Sequence, residues 1–253
     1  MLKVRVIPVL LLRQRGLVKS IRFKDHIYVG DPVNAIRIFN EKEVDELVVL
    51  DIDCSRQGAE PNYDLIRDFA SECFMPLSYG GGIQSAAQAR RLFGIGVEKV
   101  IVNQQTLSNP QLVREIADIA GSSSAVVCID VKKTLFGGYR VYDHKTGKTT
   151  NIDPRAHAES LAKLGAGEVI VNSVDCDGMR EGYDLELIRQ VAQAVDVPVI
   201  ACGGAGKLQH MVDAVKQGGA SAVAAGSMFV FHGKWRAVLI TYPNYDELER
   251  AFA

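Results

Sequence analysis

The segments DELVVLDID (45–53) and GEVIVNSVD (167–175) decide the fold. Both are short apolar runs that start beside a glutamate and end at aspartates. Near-continuous apolarity, rather than strict alternation, marks strands buried on both faces of a parallel sheet. The segments that follow also match, PLSYGGGI (76–83) against PVIACGGA (198–205). Glu46, Pro76 and Gly81 recur as Glu168, Pro198 and Gly203, a constant displacement of 122 residues. Constant spacing across three landmarks implies a duplicated unit, here two fused half-barrels.

Working outward, six further runs share this character: VRVIPVL (4–10), KVIVN (99–103) and AVVCIDV (125–131), then the two strands PLSYGG (76–81) and PVIACGG (198–204), and AVAAGSM (222–228). Helix-period segments separate them, with starts marked by Asp31-Pro32, Asn109-Pro110 and Asp153-Pro154, where an Asx side chain caps and proline occupies the first turn. After Asn109, Leu112, Val113, Ile116 and Ala120 fall on one face. Eight strands alternating with helices in 253 residues predict a (β/α)8 TIM barrel, read as one domain over residues 1–253. An open doubly wound sheet is the competing architecture, and it lacks the expected GxGxxG after the first strand.

Composition sets the limits of function. Hydrophobic residues make up 47% and the net charge is -1, so neither a nucleic-acid binder nor a membrane protein is indicated. The start lacks a signal peptide's basic segment and cleavage site, and the five cysteines form no CxxC pair; a reducing, cytoplasmic location is expected. Cys54, Cys176 and Cys202 could meet at one mouth, but without metal-site spacing neither metal nor cofactor is expected. The five histidines are dispersed, and each is read as surface or loop.

The duplicated glycine clusters look like phosphate sites. Gly81 and Gly82 in one half, and Gly203 and Gly204 in the other, end strands where backbone N–H groups can approach an anion closely. Asn103 and Gln104, and Gly226 and Ser227, stand beside them at the ends of the next strands. One site per half predicts a small-molecule ligand with two phosphates across the barrel mouth. The plainer reading is that these glycines only terminate strands. FGGYRVYDHKTGKTT (136–150) reads as an added hairpin.

Ordered motifs along nearly the whole chain, among them VIPVL (6–10), GDP (30–32), GGGI (80–83), CIDVKK (128–133), DCDG (175–178), GYD (182–184) and GGAGK (203–207), resemble the cyclase subunit of imidazole glycerol phosphate synthase. The resemblance implies a histidine-pathway barrel that takes ammonia from a separate glutaminase and closes an imidazole ring. It implies two catalytic carboxylates, at the ends of strands one and five. Asp130 matches the second, and Asp177 matches a further active-site acid. Lys19 matches the family's phosphate-loop lysine, within a basic loop (Arg13, Arg15, Arg22, Lys24) read as a lid. Arg5, Glu46, Lys99 and Glu168 match a charged gate on the opposite barrel face, where the glutaminase would dock; the plainer alternative is a structural salt-bridge ring.

The first carboxylate falls on Leu11. Ring closure needs groups that exchange protons at two ends of the substrate, and an alkyl chain supplies none; losing one such group costs about 10²- to 10⁴-fold. The resemblance, with the leucine in VIPVLLL (6–12), favours a variant group associated with bacterial surface polysaccharides, in which the barrel passes ammonia to a third enzyme that amidates an acetamido sugar. The alternatives are a genuine cyclase in histidine biosynthesis and a catalytically silent scaffold that activates a glutaminase.

Overall fold

The structure is a computed structural model that describes residues 4–135 and 137–253; residues 1–3 of the expected domain and Phe136 of the expected hairpin lie outside it. Eight parallel strands close into a ring: β1 (Arg5–Arg13), β2 (Leu47–Asp51), β3 (Leu77–Gly80), β4 (Lys99–Val102), β5 (Ala125–Lys133), β6 (Glu168–Ser173), β7 (Val199–Cys202) and β8 (Ala222–Ala225). β8 returns to β1 through Arg5↔Ala222 and Ile7↔Ala224, which closes the barrel. This is the (β/α)8 TIM barrel that the apolar runs imply.

Burial on both faces explains why these runs do not alternate. Inward side chains such as Ile7, Val48, Ile101, Val126, Ile170 and Ile200 fill an apolar lumen. Outward ones, including Val6, Leu47, Val49 and Leu77, pack beneath the helices. Full burial of each branched aliphatic stabilises by about 1.5–3 kcal/mol. Asp31 and Asp153 cap helices Pro32–Glu41 and Pro154–Lys163 through side-chain oxygens, as their Asx-Pro pairs imply.

Asn109 does not cap. It instead ends the preceding helix Gln104–Ser108, donating its N–H to the Gln105 carbonyl at 2.7 Å at φ -141°, ψ 73°, and Pro110 occupies the cap position of helix Gln111–Ala120. That helix buries Leu112, Val113 and Ile116, whereas Ala120 is only half-buried.

The basic stretch after β1 is ordered β-structure rather than a lid loop. β1 runs on to Arg13 and pairs antiparallel with strand Gly16–Ile21, which pairs with strand Lys24–Gly30. After β5, strands Tyr139–Asp143 and Lys148–Thr149 form the hairpin expected there. Both insertions rise from the C-terminal ends of barrel strands. Among the described residues, no helix is long and apolar enough to cross a membrane.

Candidate active site at the barrel mouth

A cavity of about 250 Å³ opens at the C-terminal ends of the strands. Leu11, Lys19, Gly81, Gly82, Asn103 and Gln104 line it, as do Asp130, Asp177, Gly203, Gly204, Gly226 and Ser227. The residues singled out for the mouth therefore share one cavity. The two glycine turns have the left-handed backbone that favours glycine, and both are tightly packed. A Cβ at Gly81 (φ 125°) would stand 2.4 Å from the Asp51 carbonyl oxygen, and one at Gly204 (φ 120°) would stand 2.0 Å from that of Gly182. The short helices Gln104–Ser108 and Ser227–Val230 begin at Asn103 (φ -123°, ψ -79°) and Gly226 (φ -109°, ψ -71°). The duplication thus extends to backbone dihedrals at corresponding strand ends.

Of the basic residues after β1, only Lys19 reaches the cavity wall. Arg13 pairs with Asp53 at 3.1 Å, Arg22 donates to the Asp175 carbonyl at 2.9 Å, and Arg15 and Lys24 are exposed. Lys19 is buried, and its Nζ donates to the Val9 carbonyl at 2.6 Å. Burial lowers its pKa to about 8, although Asp177 pulls it upward. Burial likewise raises Asp177 to about 6, against the effect of Lys19 and with that of Asp130. Gly226 gives the ammonium room, because a Cβ there would stand 2.5 Å from Nζ.

Asp130 is held from several sides. Asn172 Nδ2 donates to Oδ1 at 2.9 Å and Asn103 Nδ2 to Oδ2 at 2.8 Å, while His144 Nδ1 lies 3.6 Å from Oδ2. His144 belongs to the hairpin after β5, where Arg56 holds its carbonyl with two donors at 3.1 Å. Reading it as surface or loop was incomplete: it is in a loop, but its side chain enters the mouth. His157 was misread as well, since it is buried with Nε2 3.0 Å from the Thr106 hydroxyl.

Opposite Asp130, strand register pairs Leu11 with Leu50, so an apolar pair occupies that wall of the cavity. Asp51 is the next acid along, but its Oδ1 accepts from the Asp53 and Cys54 backbone N–H groups, each at 3.1 Å. Of the three cysteines expected to meet at the mouth, Cys202 lines the cavity while Cys54 and Cys176 do not; burial foremost pushes the Cys54 and Cys202 thiols up to about 12.

At the other end of the lumen, the four charges of the expected gate are in contact. Arg5 reaches Glu46 at 2.5 Å and Glu168 at 2.7 Å, and Lys99 reaches Glu46 at 2.9 Å and Glu168 at 3.2 Å. Ser78 Oγ also donates to Glu46 at 2.7 Å. Burial opposes the Arg5 charge, yet the two glutamates outweigh it and its pKa is raised.

Twinned glycine turns at the mouth and a paired charge ring at the base mark the chain as a duplicated (β/α)8 barrel. Residues 5–236 match the family described as histidine biosynthesis protein. The chain is 52% identical to a Pseudomonas aeruginosa protein provisionally named imidazole glycerol phosphate synthase subunit hisF2, over 98% of this chain and 99% of that one. It is 48% identical over both full lengths to a Leptospira interrogans protein provisionally named the HisF subunit of that synthase. A Vibrio vulnificus protein provisionally named subunit hisF3 is 47% identical, over 99% of this chain and 97% of the other. The chain belongs to the histidine biosynthesis protein family, among its HisF-like imidazole glycerol phosphate synthase subunits.

Proposed function

We propose that this chain is the ammonia-accepting barrel of a glutamine amidotransferase, working in the cytoplasm with a separate glutaminase docked over Arg5, Glu46, Lys99 and Glu168. In this reading the four charges form a gate, ammonia crosses the apolar lumen toward Asp130, and a third protein uses it to amidate an acetamido sugar for surface polysaccharide. The observation that carries the reading is Leu11. It lies on the cavity wall paired with Leu50, where a cyclase would need a proton-transfer group. Gly81, Gly82, Asn103 and Gln104 would hold one phosphate of a mouth ligand, and Gly203, Gly204, Gly226, Ser227 and Lys19 the other.

A second reading, a working imidazole glycerol phosphate synthase cyclase, draws support from Asp130, which is present and held by two amide donors. Incubating the pure chain with the cyclase family's ribonucleotide substrate and ammonium salt at alkaline pH separates the two. Turnover at least about 10²-fold below that of an ordinary cyclase is expected, with partial recovery on Leu11→Asp. Full turnover by the unaltered chain would establish the cyclase reading instead.

A further inference from the structure

Above the apolar lumen, two buried acceptors are left over, Gln104 Oε1 and, directly above the lumen wall, Asn172 Oδ1. Asn172 Oδ1 has no hydrogen-bond partner, although the residue is only 9% exposed and lines the cavity. Its orientation is fixed chemically, because the other end of the amide donates to the Asp130 carboxylate at 2.9 Å, which an oxygen could not do. Strand register sets Asn172 between Asp130 on β5 and Cys202 on β7. Two residues earlier on β6, Ile170 lies in the lumen cluster between Cys128 and Ile200. Asn172 is thus the first polar side chain met on leaving the lumen along this wall, and across the mouth Leu11 and Leu50 offer no acceptor. Buried acceptors are rarely left unpaired, because an unpaired one forfeits its hydration.

We propose that Asn172 is the exit residue of the lumen, whose Oδ1 accepts an N–H from ammonia as it reaches the mouth. This rests on the conduit reading above and adds a positioning group to it. Ammonia has three N–H donors and one lone pair, so a single acceptor on the β6 wall turns the lone pair toward the cavity. The neutral molecule suits the lumen, since an ammonium ion would lose its hydration among aliphatic side chains.

The backbone amide of Gly203 is the reporter, because a Cβ at that residue would lie 2.6 Å from Asn172 Oδ1. Its NMR resonance is followed at pH 8.5 while ammonium chloride is added, with potassium chloride as a cation of similar size but no N–H. A saturable shift with ammonium alone is expected, and its loss in Asn172→Leu. No shift, or the same shift with potassium, would overturn the proposal. In the reconstituted system with glutaminase and acceptor enzyme, Asn172→Leu should raise the glutamine consumed per product about five-fold, the scale of one hydrogen bond. If Lys99→Met raises that ratio and Asn172→Leu does not, the conduit stands and the role of Asn172 falls. If neither does, the conduit reading itself fails.

Discussion

The two ends of the barrel treat charge in opposite ways. At the base, two acids and two bases meet at 2.5 to 3.2 Å and neutralise one another. At the mouth, Lys19 and Asp177 are each pushed toward neutrality by burial, and the glycine turns line the cavity. A self-satisfied ring holds its shape by itself, whereas at the mouth Asn172 Oδ1 and Gln104 Oε1 stay unpaired. The base therefore contributes to folding, and under the proposed function the mouth contributes to recognition.

The largest expected effect tests the base. Glu46→Ala removes the acceptor shared by Arg5, Lys99 and Ser78, leaves partly buried cations underpaired, and should cost about 3–5 kcal/mol in urea unfolding. A loss below about 1 kcal/mol would mean that solvent replaces the glutamate and the ring is not structural. Next comes Gly81→Ala, which forces a Cβ into the Asp51 carbonyl at φ 125° and should cost about 1–3 kcal/mol. It should also abolish sulfate density at the first glycine turn in a soaked crystal while sparing the turn at Gly203 and Gly204. Loss at both turns would mean that the halves are not independent.

Much of this contrast was legible in the sequence because the duplication repeats landmarks at fixed spacing and because strands buried on both faces are apolar throughout. Asp31 and Asp153 announced their helices, since capping is a local interaction. Asn109 misled because it already ends the preceding short helix, which the Asx-Pro pair alone does not reveal. The hairpin after β1 was hidden by its basic residues: Gly16–Ile21 is a strand through pairing with Leu11 and Leu12, beyond the expected end of the first strand at Leu10. His144 and Asn172 left no signal, because what matters is their approach to Asp130 from other elements.

The smallest expected effect sharpens the description of the mouth. Sulfate stays fully ionised, so its affinity follows the protein's own groups. Asp177, raised to about 6, is neutral below that pH, and Lys19, lowered to about 8, is charged below that one. Calorimetric titration should find the tightest binding below pH 6, a several-fold fall as Asp177 ionises and another as Lys19 loses its proton. Lys19→Met should erase the upper step and move the Asp177 step to higher pH, because Lys19 no longer favours that carboxylate. A flat profile would place sulfate away from both groups.

Ammonia passage through the barrel is tested most directly by isotope competition. The complex of barrel, glutaminase and sugar-amidating partner is given glutamine labelled with ¹⁵N in its amide, in a bath of unlabelled ammonium chloride, and the product is analysed by mass spectrometry. If ammonia travels from the charged ring through the lumen to the mouth, the product should carry mostly ¹⁵N even with unlabelled ammonium in excess, and Lys99→Met should dilute the label. Product labelled only in proportion to ammonia in bulk solution, with or without the barrel, would contradict the account.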